Sequence, residues 1–238
     1  MFVKIPESSF VKTQWLDLKD GVPVLIQFLE DSGHDFLVHT IKSSDGMWVK
    51  VPHNPKFSLM SEEWFKKQYP ARTVYRVNVL DVTPHITTST GGVFSALRKL
   101  PERDPNTGED LRSLPRLPVN EVKLLERGIS LFGQINSVIE AMMIESPNMD
   151  IKETVFFLQR NGTGRQTTYT FYPRPDITPL PIGEDVQLFD VSMREFTEEE
   201  VAALCRGIGF KEILRKARED NSGEDTELDF SAGLPGLS

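Results

Sequence analysis

Aromatic rings and positive charges are close neighbours at several points along the chain, as in Trp48 with Lys50 and Tyr75 with Arg76. Binding a single nucleic-acid strand needs cations that follow the phosphates and flat rings on which bases stack, each stack contributing about 1–3 kcal/mol. Thirteen residues are therefore predicted to form such a surface: Trp48, Lys50, Trp64, Lys66, Lys67, Tyr69, Arg72, Arg76, Asn78, Arg160, Arg165, Tyr169 and Tyr172.

The stretch from Val74 to Leu80 alternates apolar and polar residues. Tyr75 falls on one face of the predicted strand, while Arg76 and Asn78 fall on the other, as a half-buried strand requires. We therefore expect Arg76 and Asn78 on an exposed face. Three strand aromatics are expected to pack in the core instead: Tyr75, Phe157 and Phe171.

Other kinds of chemistry find little support in the sequence. The single cysteine, Cys205, cannot form an intrachain disulfide and is interpreted as a core residue. The four histidines lack the spacing of a metal site, and Gly162-Thr163-Gly164 is not followed by the lysine and helix of a phosphate loop. Asp176 with Glu184 and Asp185 lacks the lysine of a nuclease centre. No enzyme activity, metal or cofactor is expected.

The elements that must position these residues are mainly strands. Short β-branched and aromatic runs bounded by turn residues predict them, and Asn161-Gly162 predicts a hairpin. Two helices are predicted, one near 131–142 and one that begins with a capping box at Thr197. The fold class is thus mainly β with a few helices (α+β), with an OB-like five-stranded Greek-key barrel as the leading architecture. Six strands are predicted: 22–29, 36–41, 47–51, 74–80, 154–160 and 167–172.

The charge is unevenly distributed. The chain carries a net charge of −8, which by itself argues against a polyanionic partner. However, residues 217–238 hold six acids against Arg218 alone, whereas 40–99 hold nine bases against four acids. The acidic tail is expected to be disordered and to recruit partner proteins or to compete for the basic surface. Four tail residues are predicted to bind partners: Asp225, Glu227, Asp229 and Phe230.

Two segments carry a resemblance to a known family. The strand that ends in Asn78-Val79-Leu80-Asp81 and the hairpin from Arg160 to Tyr172 resemble the single-stranded-DNA-binding proteins of tailed bacteriophages, over about residues 15 to 175. This resemblance implies an OB fold, coating of single-stranded DNA during phage DNA replication, recombination and repair, and docking of a polymerase, helicase or primase on the acidic tail. Members often bind zinc in the insert before the strand, but 51–69 contains His53 and no cysteine.

These observations divide the chain into three predicted parts. Residues 1–183 form the OB-like domain with a long loop near 100–118, residues 184–216 a C-terminal helical segment, and residues 217–238 the tail. No apolar run approaches the roughly 20 residues that cross a membrane, and no secretion signal is recognised. We expect a cytoplasmic protein, in the host cytoplasm if it is viral. Two alternatives stay open: a nucleic-acid-processing enzyme or accessory subunit, and a phage structural or interaction protein.

Overall fold

A computed structural model describes residues 13–98, 101–183 and 186–220. The chain is mixed α+β, with antiparallel strands as the main component. The strands are β1 (Pro23–Phe28), β2 (His34–Lys42), β3 (Trp48–Pro52), β4 (Arg72–Asp81), β5 (Pro84–Thr87), β6 (Val93–Ser95), β7 (Leu117–Pro118), β8 (Glu121–Gly128), β9 (Val155–Asn161) and β10 (Thr168–Pro173). The helices are α1 (Ser58–Ser61), α2 (Glu63–Gln68), α3 (Ile129–Glu145), α4 (Glu198–Cys205) and α5 (Phe210–Asp220).

The main sheet has seven strands and is organised around β4. One edge of β4 pairs with β8, and its other edge pairs with β2 near Arg72 and with β1 near Asp81. β3 continues the sheet beyond β2, and β9 and β10 continue it beyond β1. Within the described residues no ladder closes this sheet. The strands thus form an open sheet where an OB-like five-stranded barrel was predicted, and β5, β6 and β7 form a second, three-stranded sheet.

The largest core lies between the main sheet and α3. Val77 and Val79 of β4 pack there with Phe156 of β9 and Leu131 of α3. The alternation of β4 correctly predicted the inward face, and Tyr75 packs at its rim with its ring stacked on Phe132, 5.0 Å between centroids. Phe171 is buried in the same core, as predicted. α3 contacts β4, β8 and β10, so it spans the gap that the open sheet leaves.

A second core lies under the β2–β3 hairpin. Ile41, Val49 and Val51 point from the hairpin toward Phe65 of α2 and Val201 of α4. The capping box predicted at Thr197 is present, since its side chain accepts from the Glu200 backbone and the Glu200 carboxylate accepts from the Thr197 backbone. Cys205 packs partly buried against this core. The residues that follow form α5, which continues to Asp220, past the position where the tail was predicted to begin.

Two tight turns depend on glycine. The β9–β10 hairpin forms where Asn161-Gly162 predicted it. Gly162 has φ 81°, and a Cβ there would lie 2.8 Å from the Gln166 carbonyl oxygen, so any side chain would force the turn to move. Gly46, in the turn between β2 and β3, has φ 83°. Both hairpins therefore keep their lengths and registers.

Candidate nucleic-acid interface

Strand register gathers five predicted or neighbouring side chains on one face of the sheet. Two residues that lie directly opposite each other in paired antiparallel strands share a face of the sheet, and so does every second residue along one strand. Along β2, every second residue from Lys42 to His34 lies on this face. On β3, Trp48 lies opposite Lys42 and Lys50 opposite Thr40. On β4, Arg72 lies opposite Val38 and Arg76 opposite His34. We call the resulting set the cationic face: Lys42, Trp48, Lys50, Arg72 and Arg76.

Trp48 is the exposed ring of this face. Its side chain points away from the core that buries its neighbour Val49, and the residue is 45% exposed. The Lys42 ammonium lies 5.6 Å from the centre of the indole. An exposed ring can stack on a base, and a cation next to the ring can contact the phosphate of the same nucleotide.

The turn beside Trp48 is fixed to a helix that lies far away in the sequence. Asp45 accepts hydrogen bonds from the Ser43 hydroxyl and, at 3.0 Å, from the backbone N–H of Lys211 in α5. Although desolvation acts to raise the pKa of Asp45, these hydrogen bonds hold it below its usual value. The carboxylate thus stays charged near neutral pH and anchors the end of the hairpin.

A buried glutamate joins two strands of the cationic face. Glu126 of β8 accepts from Lys50 Nζ and, at 2.8 Å, from Arg76 Nε. Burial acts to raise the pKa of Glu126, but the charges and hydrogen bonds of Lys50 and Arg76 outweigh it and lower that pKa. The triad carries a net charge of +1 and fixes both cations.

Arg76 and Asn78 are not on an open face, which corrects the sequence prediction. Residues 187–195, here called the strap, have no regular secondary structure and pass over them. Asn78 is 1% exposed; its Nδ2 donates to the Phe189 carbonyl at 3.1 Å, and its Oδ1 accepts from the Phe189 N–H at 2.9 Å. Arg76 Nη1 donates to the carbonyls of Val191 and Ser192. The alternation of β4 correctly predicted that these two side chains point away from the core, but it could not predict that the strap covers them.

A second group of predicted residues lies on α2. Trp64 is 46% exposed, and Lys66 and Lys67 are exposed beside it. The neighbouring Phe65 packs against the side of the hairpin opposite Trp48, so this group is separate from the cationic face. Tyr69 is partly buried in the same core, where burial first and then the nearby Cys205 raise its pKa.

The third group belongs to β9 and β10. Arg160 lies opposite Tyr169 on the inward face, and both are partly buried, with Arg160 Nη1 3.4 Å from the Leu18 carbonyl. Tyr172 points outward, is 41% exposed and stacks on Phe157 with centroids 4.7 Å apart. Arg165 lies in the turn Gly164–Gln166, and its side chain is outside the described part of the structure.

Sequence reasoning missed three residues that surround Arg76 or Trp48. The Arg76 guanidinium lies 5.3 Å from the centre of the Trp15 ring and 5.5 Å from that of Phe36. Lys42 was missed although a short turn separates it from Trp48, and hairpin pairing across that turn would have placed the two side by side. Nothing in the local sequence marks Trp15, which reaches this face because Trp15 bridges Leu124 of β8, with the Leu16 N–H donating to the Leu124 carbonyl.

Buried His39 and partly buried His53 form a pair behind the cationic face. His39 Nδ1 lies 2.7 Å from the Tyr69 carbonyl, so it must donate, and its Nε2 lies 2.9 Å from His53 Nδ1. A neutral His39 therefore accepts from His53. Desolvation lowers the pKa of His39 most strongly, the Tyr69 carbonyl opposes this by raising it, and His53 lowers it further.

This pair predicts that acid destabilises the fold in a defined window. Because the folded pKa of His39 is below the unfolded one, unfolded chains bind more protons once the pH falls below about 6.5, and stability drops there. Urea unfolding at about pH 7.5 and about pH 5.5 should show a smaller free energy of unfolding at the lower pH. His39→Gln should reduce that difference, and the exposed His34→Gln should keep it. An unchanged difference in His39→Gln would contradict this assignment.

The remaining sequence predictions concern the acidic tail, metal binding and membrane insertion. Asp225, Glu227, Asp229 and Phe230 lie outside the described residues. In the part that is described, no group of three His, Cys, Asp or Glu residues is arranged to hold a metal ion, and no helix has the length and apolar character to cross a membrane. His53, the one histidine of the insert, hydrogen-bonds His39.

No family model and no curated protein matches this chain.

Proposed function

We propose that this protein is a non-catalytic single-stranded-DNA-binding protein that coats exposed strands without strong sequence preference. The observation that carries the proposal is the exposed Trp48 indole, flanked by Lys42 and followed on the same face by Lys50 and Arg72. Such a surface offers a ring for any base and cations for its phosphates, which is sequence-tolerant chemistry. The resemblance to bacteriophage proteins supports a role in phage DNA replication, recombination and repair in the host cytoplasm.

The path of the strands supports an OB-like reading of the fold. If β1 and β2 count as one bent first strand, then β4, β8, β9 and β10 follow as strands two to five, with α3 between the third and the fourth. OB folds are partly open Greek-key barrels that bind oligonucleotides on strands two and three and on the loops after strands one and four. Trp48 lies in the first of these loops, 43–71, and Arg165 in the second.

The phosphate contacts can be tested by removing charge from the cationic face. Lys42→Ala with Arg72→Ala removes two exposed cations, so the slope of log affinity for oligo-dT against log salt should become shallower by about 1.4, at about 0.7 per phosphate for single strands. Fluorescence anisotropy at several salt concentrations measures this slope. Lys56→Ala with Lys216→Ala removes the same charge from exposed positions elsewhere and should leave the slope as in the parent. Equal slopes in all three proteins would place the phosphates on another surface.

The acidic tail is proposed to recruit a replication polymerase, helicase or primase, and to compete with DNA for the basic surface. Removing residues 217–238 takes away a net charge of −5, so oligo-dT binding at low salt should become tighter, and the gain should shrink as salt screens the tail. Anisotropy of the truncated and full chains at about 50 mM and about 300 mM salt tests this. Unchanged or weaker binding by the truncated chain would remove the competition.

A further inference from the structure

The strap lies across the middle of the outer sheet face. To one side of it is the exposed Trp48 on β3, and to the other is the exposed Tyr172 on β10, which the strand registers place on the same face. Between these rings, Arg76 and Asn78 point outward from β4 and meet the strap instead of solvent. In the strand order of the sheet, the strap therefore lies between the two exposed rings.

The covered side chains have the chemistry of a nucleotide site. The Arg76 guanidinium lies near the rings of Trp15 and Phe36 and donates from Nη1 to two carbonyl oxygens of the strap. Phosphate oxygens are acceptors of the same kind with more charge. Asn78 exchanges two hydrogen bonds with the Phe189 backbone amide, a donor and acceptor pair that the edge of a base also presents.

The strap is held by few contacts over its own length. None of its nine residues is buried, and Leu188 is among the exposed apolar residues of the protein. Anchors hold both of its ends: Val186 packs on one apolar cluster and Phe196 on another. Arg194, near the end of the strap, pairs with Glu200 at 2.6 Å and lies over the rings of Phe196 and Phe210. Asp190 folds the strap locally by accepting from the backbone and hydroxyl of Ser192. Residues 187–193 can therefore leave the sheet while the anchors at both ends stay in place.

We propose that Arg76 and Asn78, flanked by Trp15 and Phe36, form a nucleotide-binding subsite of single-stranded DNA that the strap covers until the strand displaces it. This inference rests on the proposed function, since it describes how the same surface is regulated. In the DNA-free protein the strap carbonyls hold the positions of phosphate oxygens. When the strand binds, Arg76 and Asn78 exchange the strap backbone for phosphate and base.

Two measurements test the subsite. Replacing residues 187–193 by seven glycine and serine residues keeps Val186, Arg194 and Phe196 in place and frees the subsite, so oligo-dT should bind about tenfold more tightly if the strap covers the subsite about nine-tenths of the time. Glu195→Gln keeps the strap and removes one negative charge, as the linker does by removing Asp190, and should bind within about twofold of the parent. In the unmodified protein, hydrogen exchange at the Phe189 amide should become faster when oligo-dT is added.

The outcomes separate the two proposals. Tighter binding by the linker variant together with faster Phe189 exchange supports the subsite. Equal binding by the linker variant and the parent, or Phe189 exchange that is unchanged or slower with DNA, overturns the subsite and leaves the proposed function intact. If the charge variant binds oligo-dT as tightly as the linker variant, the subsite is also overturned, because the lost charge and not the removal of the strap would then explain the tighter binding. If no form of the protein binds oligo-dT, both proposals fail.

Discussion

Replacing Trp48 by Ala is expected to weaken oligo-dT binding about 5- to 150-fold, the loss that corresponds to one base–aromatic stack of about 1–3 kcal/mol. The residue is 45% exposed and the Lys42 ammonium over its ring is itself on an exposed side chain, so little of the fold depends on Trp48. No charge is removed, and the salt dependence of binding should stay nearly that of the parent. Anisotropy titrations at two salt concentrations measure both quantities.

Two variants control this result. Trp48→Phe retains a flat ring and should recover most of the affinity. Leu117→Ala removes another large exposed apolar side chain, 57% exposed in the small sheet, and should bind as the parent does. If Trp48→Ala is folded and binds oligo-dT like the parent, Trp48 is not a stacking platform.

Replacing Glu126 by Ala is expected to cost about 3–5 kcal/mol of folding free energy, because it leaves Lys50 and Arg76 without their shared buried partner. Side-chain exposure is 8% for Glu126 and 11% for Arg76, so solvent cannot replace the lost carboxylate beside Arg76, whereas the Lys50 side chain, at 37%, reaches solvent. Urea unfolding at neutral pH measures the change. The exposed Glu121→Ala, at the start of the same strand and 3.4 Å from Lys123, should cost about 0–1 kcal/mol.

The pH dependence of this effect has a fixed sign. The folded pKa of Glu126 is below the unfolded one, since Lys50 and Arg76 outweigh the effect of burial. Its stabilising contribution is therefore complete above the unfolded glutamate pKa and is lost as the pH falls through the folded one. The stability difference between parent and Glu126→Ala should shrink in acid. A loss below about 1 kcal/mol at neutral pH would show that the two cations do not depend on Glu126.

Local patterns in the sequence correctly predicted those strands, turns and helices whose identity depends on neighbouring residues. The Asn161-Gly162 turn, the alternation of Val74 to Leu80 and the capping box at Thr197 all correspond to observed structure. Each of these signals depends on residues within a few positions, so no knowledge of distant chain is needed. The mainly antiparallel α+β class followed from the same signals.

The strand β8 was missed because its charged residues find partners in other strands. Lys123 binds Asp81, and Glu126 binds Lys50 and Arg76, which lets a segment with four charges pair along β4 and bury the middle of its length. Periodicity counts these residues as polar and so predicts exposure. α1 and α2, of four and six residues, are too short to show a helical period.

The sequence predicted which kinds of residue form the candidate site, but not how these residues are arranged in space. The sequence cannot show that Phe189, 111 positions after Asn78, covers the face on which Asn78 lies. Nor can it show that Trp64 and Trp48 are on opposite sides of one hairpin, because that depends on where Phe65 packs. Long-range contacts of this kind decide which of the thirteen predicted residues a ligand can reach.

The most direct test of the central claim is the binding of fluorescent oligo-dT to the full chain across a range of salt concentrations. With Lys42, Arg72 and the net charge of +1 of the Lys50–Arg76–Glu126 triad on one face, we expect saturable binding whose log affinity falls with log salt at a slope of about −2 or steeper. Oligonucleotides of other sequences should bind with similar affinity. No saturable binding at low salt, or an affinity that does not change with salt, would contradict the account.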